Sequence, residues 1–168
     1  MSPLFIDYEA FFYNGKHFIK ELCIIDGDNP FAPLYYLFSP QIKYSELSTT
    51  DKTTNFFLTT NHHQIPYDIG DVKFCKECIL RHIKHEFPFV DNSIIYILEP
   101  QGENGVKMKT LTELFPTLNL VAYNFEKISS LPLPPINVTC PWMNHGLHCA
   151  YLKTIRMYLD YINFSLKC

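Results

Sequence analysis

At 168 residues, 47% hydrophobic and 15% aromatic, the chain has the composition of one folded domain and not of a disordered tail. A net charge of −3 argues against a protein that coats duplex DNA through a broad basic surface. No apolar run approaches the roughly 20 residues that span a bilayer, so no membrane role is expected.

The opening MSPLFIDYEAFF lacks a basic leader, a long apolar stretch and a small-residue cleavage site, so a cytoplasmic or nuclear protein, not a secreted one, is expected. In reducing surroundings Cys23, Cys75, Cys78, Cys140, Cys149 and Cys168 read as core thiols or metal ligands before disulfides. Residues 3–9 form a buried strand with Asp7 and Glu9 on one side. Asn14-Gly15 turns the chain into a second strand at 17–25, and the turn at 26–30 leads to a third at 34–38. Residues 48–60 mix polar side chains with Phe56, Phe57 and Leu58, and a loop follows that carries His62 and His63.

Val72, Cys75, Ile79 and Ile83 recur at helical intervals, predicting a helix over 71–86 capped by Asp71 and stopped by Pro88. An unbroken β-branched run at 93–99 suits a central strand covered on both faces. A helix at 107–115, a strand at 118–124 and a proline-rich loop at 126–139 come next. The last helix is expected to begin at Asn144, whose side chain is a good N-cap, and to bury Leu147, Tyr151, Ile155, Tyr158 and Ile162. The order β-β-β-α-β-α-β-α predicts a single domain over 1–168. Its expected form is a five-stranded mixed sheet flanked by helices, in the ribonuclease-H-like arrangement.

Four places are candidates for chemistry. If the last helix begins at Asn144, His145 and Cys149 stack on one face and Cys140 folds back beside them, an incomplete zinc set that needs one more ligand. Asp7-x-Glu9 on the first strand resembles the arrangement in DEDD exonucleases, where two same-face carboxylates hold a pair of Mg²⁺ or Mn²⁺ ions for phosphodiester hydrolysis. The adjacent His62 and His63 are candidates for phosphate contact or acid–base cleavage of RNA. Cys75-x-x-Cys78 with His82 and His85 is a weaker cluster: Cys75 is expected in the core and the histidines in solvent, and a redox pair would require the mouth of a helix after a strand, which the expected helix over 71–86 fits poorly. Lys107 and Lys109 read as ordinary helix charges.

LFIDYEAF followed by IKELCIID resembles the first two strands of the DEDD exonucleases. The rest of that acid set is absent: the fourth strand offers no Asp, Ala150 stands where an Asp would follow His145, and Asp160 is on the order of 16 Å beyond Cys149 along a helix. IKELCII, YYLFSP, NHHQIP and the pairing of Cys140 with HCAYLK are similar to segments of the Maelstrom domain of animal germline silencing proteins. That resemblance implies an exonuclease-like fold whose catalytic acids are replaced by a Glu-Cys-His-Cys zinc cluster, here Glu21, Cys140, His145 and Cys149, with His148 as the alternative histidine. It also implies a domain that binds single-stranded RNA, or a silencing-pathway protein, and at most cleaves RNA weakly. The rivals are a catalytically silent protein-interaction module and a divergent metal-dependent 3′–5′ exonuclease using Asp7, Glu9 and His145.

Overall fold

The computed structural model describes residues 2–98, 105–123, 140 and 149–165. Three antiparallel strands open the chain: β1 (Leu4–Tyr13), β2 (Lys16–Asp26) and β3 (Asn29–Leu37). The β1–β2 turn places Asn14 and Gly15 at φ of 48° and 71°, the left-handed values that this dipeptide tolerates. β3 starts five residues earlier than expected and carries Pro30 and Pro33, which an edge strand accommodates because one row of its N–H groups needs no partner. β4 (Ile95–Leu98) then pairs in parallel with β1, and β5 (Leu120–Tyr123) in parallel with β4. The five-stranded mixed sheet has the order β3-β2-β1-β4-β5.

Helices cover both faces. Along β1, Leu4, Ile6, Tyr8 and Ala10 face one core, which takes Ile79 and Ile83 from α2 (Lys76–Glu86) and Leu111 from α3 (Val106–Leu114). Phe5 faces the other core with Cys23 and Ile25, beneath Tyr151, Ile155 and Met157 of α4 (Ala150–Ser165). β4 divides its side chains as a central strand must: Ile95 and Ile97 enter the first core, Tyr96 and Leu98 the second. No helix among the described residues is long and apolar enough to cross a membrane.

An element unforeseen in the sequence is α1 (Thr49–Phe57), continued by a π-helical turn (Leu58–His62). Its threonines are poor helix formers, but Ser48 caps it by accepting the Asp51 N–H at 3.1 Å, and Ser48 donates its hydroxyl to Asp51 at 2.8 Å. Asn55, fully buried on α1, accepts the Phe12 N–H at 2.8 Å and donates to the Phe12 carbonyl at 2.9 Å. Among the described residues β4 pairs with Leu4 to Ile6, and this amide meets β1 farther along, where a neighbouring strand would be. α2 begins at Lys76 and not at Asp71, because residues 71 and 72 hydrogen-bond to the end of β3 and Val72 bridges Phe38. Gly70 makes that approach possible: at φ 144° it lies so close to Phe38 that a Cβ would sit 2.3 Å from its carbonyl carbon.

Candidate functional site

The strand register concentrates the polar residues on one face. Glu9 lies opposite Glu21 and Asp7 opposite Cys23, so the carboxylates of β1 and the polar residues of β2 sit side by side beneath the start of α4. A bulge follows at once, since Glu9 pairs with Glu21 but Ala10 with Ile19. Lys20, the extra residue, turns away and donates to the carbonyls of Phe38 at 2.9 Å and Tyr67 at 2.8 Å, and also to Ile69.

Glu21, Cys140 and Cys149 form the first half of the site, with one ligand atom from each lying within 4.8 Å of the others. Glu21 and Cys149 are fully buried and Cys140 is half-buried. Glu21 is held in place: the Tyr35 hydroxyl donates to its Oε1 at 2.8 Å, and the Ala150 N–H at the mouth of α4 donates to its Oε2 at 2.8 Å. The Cys149 thiol approaches Oε1 at 3.5 Å. Hydrogen bonding to Cys140, burial and the Glu21 charge all push the Cys149 thiol up. Three anions packed this closely repel one another unless protons or a cation intervene, and two thiolates with a carboxylate match the ligands a metal such as zinc accepts. Cys149 precedes α4 and its carbonyl accepts the Lys153 N–H at 3.0 Å. It therefore stands just before a helix that starts at Ala150, later than expected, and not a turn inside it. His145, His148 and Asn144 lie outside the described residues.

Asp7 and Glu9 form the second half, and each is answered by a lysine. Lys107 of α3, expected to be an exposed helix charge, is 6% exposed; it pairs with Asp7 and donates to the Tyr8 carbonyl at 2.9 Å. Lys153 of α4 pairs with Glu9 and lies 3.8 Å from the second Asp7 oxygen. His62 brings its Nε2 within 3.4 Å of the other Glu9 oxygen. Full burial pushes Asp7 up against the opposing pull of Lys107 and Lys153. Burial would also raise Glu9, but the His62 hydrogen bond and the two lysines outweigh it and hold its carboxyl at about 2. Two ammonium groups thus stand beside the carboxylates that a two-metal nuclease would use for its ions.

The Glu9 shift has a defined sign. Its pKa of about 2 lies below the ordinary 4.5, so its contribution is complete above pH 4.5 and is lost as pH falls through 2, on the order of 3 kcal/mol in all. Asp7, shifted upward, works in the opposite sense, gaining as it protonates. In urea titrations between pH 5 and pH 2, Glu9→Gln should show a shallower acid loss than the parent chain; parallel curves would refute the charge assignment.

His63 does not join this group. It is fully buried with its ring 4.8 Å from that of Phe11, and its Nδ1 accepts the Ile65 N–H at 3.1 Å. His82 shares a 2.7 Å hydrogen bond with Tyr36, while His85 is exposed beside Glu86. Cys75, expected as a core thiol, is instead joined to Cys78 in a disulfide and caps α2, because the helix starts later than its apolar spacing implied.

A cleft of about 720 Å³ opens beside Glu9 and His62. Its walls carry Lys16, His17, Lys107 and Lys109 against Glu9 and Glu113. Burial and the Lys107 charge push the His17 imidazole down, and its Nδ1 shares a 2.8 Å hydrogen bond with the Tyr8 hydroxyl. Phe56 and Phe57, 63% and 58% exposed, directly precede Leu58 of the cleft wall.

The fold and site define a class: an α/β domain with a carboxylate–dithiol metal candidate beside a pair of lysine-neutralised acids. No family model matches the chain, and no curated protein matches it.

Proposed function

We propose that this chain is a zinc-stabilised domain of ribonuclease-H-like ancestry that binds single-stranded RNA without two-metal catalysis, as a Maelstrom-like component of RNA silencing. The observation that carries this reading is the paired state of Asp7 and Glu9, each against a lysine, one strand away from Glu21, Cys140 and Cys149. The three-strand meander followed by two parallel strands, in the order β3-β2-β1-β4-β5, supports the ancestry. The donor set supports zinc, with Glu21, Cys140 and Cys149 as ligands and His145 or His148 as the candidate fourth. Zinc in a closed set of four ligands supplies a cross-link and no reactive water.

The cleft supplies the RNA reading. Lys16 and Lys109 are exposed on its wall, and Phe56 and Phe57 are exposed on the helix that leads into Leu58 of that wall. Cations that track phosphates, with aromatics on which bases stack, suit an unpaired strand better than a duplex. His62 stands at the cleft edge next to Glu9, where an imidazole would serve any residual cleavage through the 2′-hydroxyl.

Labelled single-stranded RNA titrated across a salt series tests this. Affinity should fall as salt rises, and Lys16→Glu with Lys109→Glu should weaken binding about 10-fold or more and reduce the salt slope by about one per lost phosphate contact. Absence of binding at low salt would favour the protein-interaction module, for which the same exposed phenylalanine pair would be the contact. Cleavage that requires Mg²⁺ or Mn²⁺ and is lost in Asp7→Ala would instead support the divergent exonuclease.

A further inference from the structure

The Cys75–Cys78 disulfide plays no part in the binding reading, and its setting differs from that of a structural cross-brace. It spans only Lys76 and Glu77, within the first turn of α2, so it constrains almost no chain that the helix does not already constrain. Cys78 is exposed and Cys75 half-buried, which leaves the bond open to a small thiol. Cys75 is also the N-cap of an eleven-residue helix, and the Cys78 N–H points at its sulfur at 3.4 Å. The approach to that cap is fixed: Val72 bridges Phe38 at the end of β3, the Ser39 N–H donates to the Val72 carbonyl at 2.8 Å, and the Phe74 ring packs 5.1 Å from that of Phe38. A bonded cysteine pair thus sits where a strand-like segment enters a helix, the setting in which free helical N–H groups stabilise a thiolate.

We propose that Cys75–Cys78 is a reversible thiol–disulfide exchange site served by a low-molecular-weight thiol and its disulfide, with Cys75 as the helix-stabilised leaving sulfur. In the reducing direction an external thiolate attacks the exposed Cys78 sulfur. The protein S–S bond breaks, its electron pair leaves on Cys75, and a mixed disulfide remains on Cys78. A second external thiolate then attacks the external sulfur of that mixed disulfide and expels Cys78 as a thiolate. Two thiols have become one disulfide, the protein disulfide has become two thiols, and the two protons released by the external thiols are available to the cysteines. The Glu77 carboxylate, 3.9 Å from the Cys75 sulfur, opposes the thiolate, but it is exposed and screened by solvent and salt. Ile79 and Ile83 hold α2 in the core through contacts that involve neither sulfur, so exchange does not require unfolding.

The full chain, equilibrated in glutathione buffers from fully reduced to fully oxidised, quenched in acid and alkylated, reports each cysteine by peptide mapping. Cys75 and Cys78 should convert together in one two-electron transition within that range. With Cys78→Ser, the lone Cys75 should react with iodoacetamide at neutral pH about 10-fold faster than glutathione does, whereas with Cys75→Ser the lone Cys78 should react like an ordinary exposed thiol. Both substitutions leave the fold testable, since serine is itself a strong N-cap and position 78 faces solvent. A pair that stays reduced throughout, a pair that stays oxidised throughout, or a Cys75 no faster than glutathione would each overturn the proposal.

Discussion

A chain carrying Lys107→Met should lose about 3–5 kcal/mol of stability, read as a lower urea midpoint, because the substitution leaves the fully buried Asp7 carboxylate with only the Lys153 ammonium at 3.8 Å to offset it. The methionine fills nearly the same space, so little of that loss is a cavity. Adding Asp7→Asn should restore most of it by removing the under-compensated charge, and the double-mutant cycle measures the pair directly. A loss below about 1 kcal/mol would mean that Asp7 already carries its proton and that burial has won over the lysine. The same variant offers a second measurement. With the tethered ammonium gone, Asp7 and Glu9 should take a soluble cation, so millimolar Mn²⁺ should stabilise Lys107→Met by mass action and leave the parent midpoint unmoved.

The second large effect concerns the metal. The purified chain should carry one zinc, and Cys149→Ser should lose it with a fall in Tm of about 10–15 °C, the scale of a loss of several kcal/mol in a domain this size. Glu21→Gln separates two roles that the geometry superimposes. A glutamine can still accept the Ala150 N–H and still meet the Tyr35 hydroxyl, so it preserves the helix cap while weakening the ligand. If Glu21 binds zinc, the variant should lose metal and melt nearly as early as Cys149→Ser. If Glu21 only caps α4, it should keep the parent Tm and its zinc content.

The strands and their facing were legible because alternation states them locally: Asp7-x-Glu9 puts both acids on one face whatever surrounds them. The lysines were legible only in part. Lys107 precedes Leu111 by four residues and so lies on the apolar stripe of α3, where a charge signals a buried partner, yet nothing local names Asp7, 100 residues away. Lys153 lies four residues before the fully buried Met157, and its partner Glu9 is 144 residues distant. α1 was hidden by its composition, since Thr49, Thr50, Thr53 and Thr54 weaken any helical reading and the clue was the Ser48 cap with Asp51 in the first turn. The position of Cys75 was misjudged because Val72, Cys75, Ile79 and Ile83 recur at helical spacing, although residue 72 belongs to a bridge with β3. Helical spacing cannot separate a helix from the extended segment that delivers the chain to it.

Asn55 bears on how this domain behaves among copies of itself. By exchanging both hydrogen bonds with Phe12, it satisfies the same backbone groups that an incoming strand from another molecule would seek. Lys107 satisfies the Tyr8 carbonyl farther along the same row. Two side chains therefore occupy backbone groups of Tyr8 and Phe12 along the part of the β1 margin that β4 does not pair among the described residues. A sheet left open at that point would invite intermolecular zippering, and the buried Asn55 amide answers that opening at Phe12.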